Sequence, residues 1–245
     1  MGMKGETVPI INQIEDMVRG VPGWTPIDQL YTLFNLVCLT SDLPGDILEI
    51  GSWCGRSSAV LGFAARLSGE ARVMCVDLFP GKTDWKQNPD GSYSFRVAIA
   101  GKTYGGYQEQ TVWKEPFERD IAPIYARYDS VFDVFSDTIR RQGLQERVEA
   151  FRGNSETFAD QAPPGFRCRV AFIDGDHSYE AVCRDIRNVE RFLVPGGWVC
   201  FDDAFSHYEG VNRAITDLVI KNPDYALGQQ MTRKLFIARR KPVAA

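Results

Sequence analysis

Three short apolar runs in this 245-residue chain end in aspartate, and this pattern constrains the fold more than any other. The runs cover residues 72–77, 170–174 and 198–202. Continuous apolar runs of this length are typical of strands that are buried on both faces of a parallel sheet. Because such sheets place their ligands at the carboxyl ends of their strands, we expect the terminal aspartates to line a site at one edge of the sheet.

The two histidines of the chain closely follow two of these runs. His177 follows the segment 174–176, which reads Asp-Gly-Asp, and His207 follows the Asp-Asp pair at 202–203. If both runs are neighbouring strands, four carboxylates and two imidazoles meet at one edge of the sheet. The pattern therefore predicts a chemically active site.

The composition excludes several classes of partner. The net charge of −4 and a pI near 5.3 argue against binding to nucleic acid, which needs a basic face. The longest apolar runs are far shorter than the ~20 residues that cross a bilayer, and no apolar stretch typical of a signal peptide follows the N-terminus. The six scattered cysteines contain no C-x-x-C pair. We therefore expect a reduced, cytoplasmic protein without a membrane or nucleic-acid partner.

Predicted strands alternate with predicted helices over most of the chain, which is typical of an α/β fold. The strands are expected at 46–50, 72–77, 147–151, 169–174, 198–202, 225–230 and 234–239, and the helices at about 27–38, 57–67, 131–142, 179–193 and 211–220. Pro-Gly-Gly at 195–197 is expected to end the helix before the fifth strand. We predict one domain, residues 1–245, with a helical N-terminal extension over residues 1–40.

Residues 80–127 interrupt this alternation. The segment is rich in glycine and aromatic residues, among them Trp85, Tyr93, Tyr104 and Tyr107. A long irregular stretch within a compact domain is either a functional lid or disordered, and disordered segments contain few aromatic residues. We therefore predict a lid-like insertion that covers the substrate; a surface excursion or a dimer contact is the alternative.

The segment after the first predicted strand suits a ligand-binding loop. It reads Glu49-Ile-Gly51-Ser-Trp-Cys-Gly55, and glycine lets a ligand approach the main chain closely. The spacing differs from the dinucleotide fingerprint, and no phosphate-loop lysine follows, so a ligand without a pyrophosphate is favoured. Asp77 ends the second strand and is suited to accept hydrogen bonds from both hydroxyls of a ribose. A helix cap or a turn is the plainer interpretation of Asp77.

In this order, these residues resemble the class I S-adenosylmethionine-dependent methyltransferases. The resemblance rests on Glu-x-Gly-x-x-x-Gly at 49–55, on Asp77 and on the Pro-Gly-Gly segment, and it extends over about residues 25–240. It implies a single-domain Rossmann-like fold, with a mostly parallel seven-stranded sheet and helices on both faces. It also implies S-adenosyl-L-methionine as the cofactor. The cofactor-binding residues implied by the resemblance are Glu49, Gly51, Ser52, Gly55, Ser57, Asp77, Asn154, Ser155 and Asp174.

Asp174, Asp202 and Asp203 form an all-oxygen set at the ends of two neighbouring strands. Oxygen ligands suit Mg²⁺ or a similar hard cation rather than zinc, which prefers histidine and cysteine. Such a cation lowers the pKa of a bound oxygen. Methyl transfer to a hydroxyl needs this help, because an alcohol is too weak an acid to ionise near neutral pH.

The same segments resemble the small metal-dependent sugar O-methyltransferases of the macrocin, mycinamicin and novobiocin pathways. The resemblance rests on an Asp-Gly-Asp-His-x-Tyr segment and a later Phe-Asp-Asp segment. It implies that Asp174, Asp202 and Asp203 bind the metal and that Asp174 or His177 is the general base. We favour His177, because histidine titrates near the working pH and a metal-bound carboxylate is a poorer base. The implied acceptor is a small molecule with a sugar hydroxyl, and we expect a homo-oligomer.

Plainer roles remain open for several of these residues. Asp176 is also suited to capping the following helix, and His177 to a structural hydrogen bond. Asp202 and Asp203 are also suited to orienting backbone amides. His207 lies farther from its strand end. We therefore place His207 in a loop or at the acceptor pocket rather than at the reacting proton.

Other functions remain open on the same core. Methylation of a catechol also uses a metal at the strand ends, and the aromatic lid residues suit either acceptor. An Fe(II)-dependent hydroxylase similar to the cephalosporin hydroxylases needs two histidines and a carboxylate, so it requires His207 to fold back toward the site. A cofactor-binding module without catalysis is disfavoured by the crowded carboxylates.

Overall fold

A seven-stranded sheet runs through the centre of the computed structural model, which describes residues 8–106 and 111–242. The strands within these ranges are β1 (Asp46–Ile50), β2 (Val73–Asp77), β3 (Trp85–Gln87), β4 (Tyr93–Ile99), β5 (Lys102–Gly106), β6 (Val148–Arg152), β7 (Cys168–Ile173), β8 (Leu193–Phe201), β9 (Tyr225–Gln230) and β10 (Phe236–Arg240). The helices are α1 (Ile10–Val18), α2 (Ile27–Leu39), α3 (Arg56–Leu67), α4 (Lys114–Pro116), α5 (Ala122–Tyr125), α6 (Val131–Arg141), α7 (Ser155–Gln161), α8 (Tyr179–Glu190) and α9 (Glu209–Ile215).

The strand order of the large sheet is β6-β2-β1-β7-β8-β10-β9. The first five of these strands run parallel, whereas β10 is antiparallel to both β8 and β9. All six residues of β7 are buried, as expected for a strand at the middle of a sheet that is covered on both faces. The predicted fold class, a mostly parallel seven-stranded Rossmann-like sheet, is confirmed.

Two apolar cores lie on the two faces of this sheet. In β7, Phe172 packs into the core that also contains buried residues of α1, α2, α3 and α6. Its neighbours Ala171 and Ile173 pack into the second core, together with residues of α7, α8 and α9. Because side chains alternate between the faces of a strand, both sets of positions have to be apolar. This requirement explains the continuous apolar runs of the sequence.

Arg56 anchors the N-terminal helices to the rest of the domain. Its guanidinium donates to the carbonyl oxygens of Val18, Val21 and Thr25 at 2.9, 3.2 and 3.0 Å. These bonds fix the segment between α1 and α2 against the start of α3.

None of the helices within residues 8–106 and 111–242 is long and apolar enough to cross a membrane.

The prediction that the Pro-Gly-Gly segment at 195–197 ends a helix is wrong. α8 ends at Glu190, and β8 already begins at Leu193. The segment lies within β8, where the pairing with β7 shifts register. A Cβ atom on Gly197 would lie 2.8 Å from the carbonyl oxygen of Arg169, so glycine is required here by close packing of the two strands.

Residues 80–127 are more regular than the sequence predicts. β3, β4 and β5 form a small antiparallel sheet, and α4 and α5 follow it. The hairpin between β4 and β5 turns at Gly101, with φ 78°, after an alanine rather than the usual asparagine or aspartate. Aromatic residues form a local core: Tyr93 stacks on Phe117 at 3.8 Å between ring centroids, and Trp85 contacts Phe117 at 5.2 Å. Part of the aromatic content therefore serves packing.

Candidate functional site

A cavity of about 590 Å³ opens at the carboxyl edge of the large sheet. Its wall includes the ends of β1, β2 and β7 and the segment that follows β6. Residues from these four places are Ile50, Gly51, Val76, Asp77, Gly153, Asn154, Ser155, Asp174, Asp176 and His177. The cavity thus lies at the predicted edge of the sheet, although Asp202 and Asp203, at the end of the third aspartate-terminated run, do not line it.

Two other parts of the chain also contribute to the wall of this cavity. Trp24 and Trp53 both line it, and their ring centroids lie 5.9 Å apart. The small sheet contributes Phe95 and residues 103–105. The substrate-covering role predicted for residues 80–127 stays a prediction, and Tyr107 lies outside the described residues.

Glycine is needed at position 51 for a structural reason that the sequence does not reveal. Its φ is +88°, and a Cβ atom there would lie 1.9 Å from the carbonyl oxygen of Asp174. The main chain that leaves β7 therefore passes directly over the end of β1. Gly55 also has a positive φ, and its missing side chain faces Phe135 of α6 at 3.1 Å. Gly51 borders the cavity, whereas Gly55 packs against a helix.

Glu49, Ser52 and Ser57 lie behind the cavity wall. All three are buried, and none of them lines the cavity. The hydroxyl of Ser58 donates to the Glu49 carboxylate. Burial raises the pKa of Glu49, and the nearby serine hydroxyls oppose this rise. The structure places these residues as supports of the loop, and their predicted contact with a cofactor stays a prediction.

Asp77 ties together two loops at the edge of the cavity. Its Oδ2 accepts from the backbone N–H of Trp53 at 2.9 Å, and its Oδ1 accepts from that of Phe79 at 2.6 Å. Both partners have the left-handed backbone conformation that non-glycine residues rarely adopt. Burial raises the pKa of Asp77, and the backbone N–H groups counteract the increase. Each carboxylate oxygen can accept a second hydrogen bond, so Asp77 can hold the loops and bind a ligand together.

Asn154 and Ser155 line the cavity at the start of α7, beside a buried acid that sequence reasoning missed. The side chain of Asn154 caps α7 by accepting from the backbone N–H of Thr157 at 2.9 Å. The hydroxyl of Ser155 donates to Asp185 of α8, which also lines the cavity. Burial raises the pKa of Asp185 to about 7. The one available signal was an acidic residue on the otherwise apolar face of α8.

The raised pKa of Asp185 predicts a pH-dependent stability. An unfolded aspartate titrates near ~3.9, so between about pH 4 and 7 the folded protein holds a proton that the unfolded chain has released. Asp185 therefore destabilises the fold as the pH rises through this window, by at most ~4 kcal/mol at 1.36 kcal/mol per pKa unit. We expect Asp185→Asn to be more stable than wild type at pH 8. At pH 5 its advantage over wild type should be much smaller.

Urea denaturation at the two pH values measures this difference. Asp160→Asn, at an exposed position of α7, serves as the control and should show no such pH dependence. A gain in stability from Asp185→Asn that is equal at pH 5 and pH 8 would show that the carboxylate does not titrate in this range.

Three aspartates meet where β7 and β8 end. The backbone N–H of Asp202 donates to the carbonyl oxygen of Ile173 at 3.0 Å, which holds the two strand ends side by side. Burial and the carboxylates of Asp202 and Asp203 raise the pKa of Asp174 well above its usual range. Asp203 has a φ of 53°, so the backbone is strained at this point.

His177 lies against both Asp203 and Tyr208. Its Nε2 is 3.2 Å from Oδ2 of Asp203, and its ring stacks on that of Tyr208 at 4.2 Å between centroids. Burial tends to raise the pKa of Asp203, but hydrogen bonding to His177 and the charge of Lys234 lower it overall. Asp176, by contrast, accepts from the backbone N–H of Ser178 at 2.7 Å within the turn before α8.

The group that can hold a metal differs in one member from the predicted set. Within residues 8–106 and 111–242, Asp174, His177 and Asp203 offer ligand atoms that all lie within 4.8 Å of one another. Asp202 is outside this group, and its carboxylate accepts hydrogen bonds from Gln29 and Lys234. His207 is exposed and is also outside the group, although its ring lies 3.9 Å from that of Tyr208.

The partners of Asp202 come from distant parts of the chain. Its Oδ1 accepts from the fully buried amide of Gln29 in α2 at 2.7 Å. Its Oδ2 accepts from Nζ of Lys234, in the turn between β9 and β10, at 2.9 Å. Burial tends to lower the pKa of Lys234, but the charges of Asp202 and Asp203 raise it overall. Sequence reasoning missed Gln29 and Lys234, for which no local pattern gives a signal.

The fold is that of an α/β protein of the Rossmann-like class, with a cavity at the carboxyl edge of the sheet. A family profile described as a methyltransferase domain matches residues 48–204, which is more than half of the chain. The chain therefore belongs to the methyltransferase-domain family. The predicted methyltransferase family is confirmed.

Similar proteins include several O-methyltransferases. A curated relative from Streptomyces olivaceus, 8-demethyl-8-(2,3-dimethoxy-alpha-L-rhamnosyl)-tetracenomycin-C 4'-O-methyltransferase, is 27% identical over 183 residues, which are 74% of this chain and 60% of the relative. The matched region thus spans about three fifths of that relative's length. The O-methyltransferase NovP has a TM-score of 0.61 at 18% identity, covering 88% of this chain and 80% of NovP. CalS11, a TDP-rhamnose 3'-O-methyltransferase, has a TM-score of 0.54 at 14% identity, covering 98% and 96%.

Proposed function

We propose that this chain is an S-adenosylmethionine-dependent O-methyltransferase that methylates a hydroxyl of a sugar or a glycosylated metabolite with the help of a divalent cation. The observation that carries the proposal is one cavity that is lined both by Asp77 and by the residues around His177. The name of the curated relative, which acts on a rhamnosyl group, supports a sugar acceptor. The homo-oligomer and the cytoplasmic location remain predictions from the sequence.

The cavity suits a nucleoside cofactor with an amino-acid tail. Asp77 is positioned to accept from the ribose hydroxyls, and Asn154 and Ser155 to border the adenine. The indole Nε1 of Trp53 is buried without a hydrogen-bond partner among the described residues, and Trp53 lines the same cavity. This N–H is suited to donate to the tail of the cofactor. When bound, S-adenosylmethionine supplies an electrophilic methyl group.

The donor set at the strand ends suits a hard divalent cation. Asp174 and Asp203 would hold it through their carboxylates, and His177, whose ring lies in the same group, would lie beside it without coordinating it. Such a cation would lower the pKa of the acceptor hydroxyl. The alternative Fe(II)-dependent hydroxylase needs a second histidine at the site, and His207 lies outside the group, so the arrangement gives this alternative no support.

His177 is the residue that we assign to remove the acceptor proton. The contact of its Nε2 with Asp203 orients the imidazole and stabilises the positive charge that it gains. Stacking on Tyr208 holds the ring at the cavity wall. The proton of the acceptor hydroxyl would pass to His177 as the hydroxyl oxygen takes the methyl group. The bond between this methyl group and the sulfonium sulfur would break, and its electron pair would stay on sulfur, which leaves S-adenosylhomocysteine. Asp174 remains the alternative base.

A radiolabelled methyl-transfer screen tests this function. We expect label from S-adenosylmethionine in sugar substrates such as TDP-rhamnose and rhamnosides rather than in catechols, in the presence of Mg²⁺. Chelation with EDTA should lower turnover at least ~100-fold, because the hydroxyl loses its acidifying cation. Cofactor binding, measured by calorimetry, should change little. Undiminished turnover in EDTA would remove the metal from the proposal, and labelling of catechols alone would remove the sugar.

A further inference from the structure

A lysine ammonium lies inside the carboxylate cluster at the ends of β7 and β8. Nζ of Lys234 is 2.9 Å from Oδ2 of Asp202 and 3.2 Å from Oδ1 of Asp203. The side chain of Lys234 is 22% exposed and that of Asp202 is 3% exposed. Water therefore screens these charges poorly, and the ammonium is a fixed part of the cluster.

Asp203 is shared between this ammonium and the candidate metal group. Its Oδ1 accepts from Lys234, whereas its Oδ2 faces Nε2 of His177 at 3.2 Å. Asp203, His177 and Asp174 are the three residues whose ligand atoms lie within 4.8 Å of one another. A cation held by this group would share one carboxylate with a fixed positive charge. Like charges at such short range repel each other strongly where water is scarce.

We propose that Lys234 is a resident cation that weakens the binding of divalent metal ions to Asp174 and Asp203 beside His177. The inference rests on the metal site of the proposed function and adds a residue that sets its affinity. Without a metal, the ammonium balances part of the negative charge of Asp202 and Asp203. A divalent cation then has to bind against this charge, so Lys234 keeps the site weak and exchangeable.

Removal of the ammonium tests the proposal. Lys234→Met preserves most of the side-chain length and should bind Mn²⁺ about 10-fold more tightly than wild type, or tighter still, because the like charge is gone. Electron paramagnetic resonance of free Mn²⁺ measures the affinity with neither cofactor nor acceptor present. Lys221→Met is the matched control, since Lys221 pairs with Asp217 at 2.8 Å on an exposed face. The affinity of this variant for Mn²⁺ should equal that of wild type. Equal or weaker binding by Lys234→Met would overturn the proposal.

A second pair of variants guards against misfolding, because Lys234→Met leaves the buried Asp202 carboxylate without its counter-charge. Asp202→Asn needs no counter-charge, so the double variant Asp202→Asn/Lys234→Met should fold and bind Mn²⁺ about 10-fold more tightly than Asp202→Asn alone. Asp203→Asn should abolish the binding in either background. If Mn²⁺ binding is saturable and is lost in Asp203→Asn, but its affinity does not change when Lys234 is replaced, this inference is overturned and the metal site stands. If no variant binds Mn²⁺, the proposed metal site fails and this inference with it.

Discussion

Replacement of His177 by glutamine should lower kcat for methyl transfer by about 10²- to 10⁴-fold, the range that a positioned general base contributes. Glutamine keeps a polar group at the cavity wall but cannot accept the proton of the acceptor hydroxyl. The Asp203 carboxylate, 3.2 Å from Nε2 of His177, would lose the cation that it is placed to stabilise. The affinity for S-adenosylmethionine should change little, because Asp77, which we propose to bind the ribose, is untouched.

His207→Gln is the matched control for this experiment. It changes the same residue type. His207 contacts the same ring of Tyr208 but is exposed and does not line the cavity. Its kcat should stay within a factor of about three of wild type, as expected of a surface substitution. Steady-state kinetics and calorimetry of cofactor binding separate the two effects. A His177→Gln enzyme with wild-type kcat would transfer the role of base to Asp174.

The position of the cavity could be predicted because it depends on the ends of strands. Asp77, Asp174 and Asp203 each follow a run of buried residues, and a parallel sheet brings such ends to one edge whatever the loops do. The position of Asp77 in the cavity wall follows from the same logic. Here local pattern and overall topology agree, so the order of the elements was enough.

The roles of the glycines could be predicted less completely. A glycine in the sequence indicates that some group lies close to the main chain, but not which group. At Gly51 the nearest atom is the carbonyl oxygen of Asp174, a main-chain contact between two strands of the sheet. At Gly197 it is the carbonyl oxygen of Arg169, and the segment lies inside a strand rather than at the end of a helix. Both glycines are required by packing, which becomes visible only with the sheet assembled.

The charge balance of the site could not be predicted at all. Asp202 is held by Gln29, which lies 173 positions earlier in the chain, and by Lys234, which lies 32 positions later. Neither partner stands in a pattern that differs from an ordinary helix or turn. A cluster of strand-end acids therefore predicted a metal site, whereas the cation that already lies among them depends on how the last two strands fold back.

Asp77→Ala should weaken binding of S-adenosylmethionine at least ~100-fold, because each hydrogen bond to a charged group contributes ~1.5–3 kcal/mol. The two hydroxyls of the ribose would lose their acceptor. The backbone N–H groups of Trp53 and Phe79, which donate to Asp77 at 2.9 and 2.6 Å, would also lose their acceptor. The loop that carries Trp53 along the cavity wall should therefore loosen. Asp77→Asn keeps the shape and one acceptor oxygen, so its affinity should lie between those of wild type and Asp77→Ala.

A control is needed to separate ligand binding from stability, and β1 offers one at its other end. Oδ1 of Asp46 accepts from the backbone N–H of Arg72 at 2.9 Å, so Asp46→Ala also removes an aspartate that holds a neighbouring main chain. We expect both alanine variants to lower the melting temperature, while calorimetry with S-adenosylhomocysteine detects a loss of affinity in Asp77→Ala alone. Equal affinity in the two variants would reduce Asp77 to a turn residue. The separate responses are expected because Asp77 lies at the carboxyl edge of the sheet, where its carboxylate faces both the loops and the cavity.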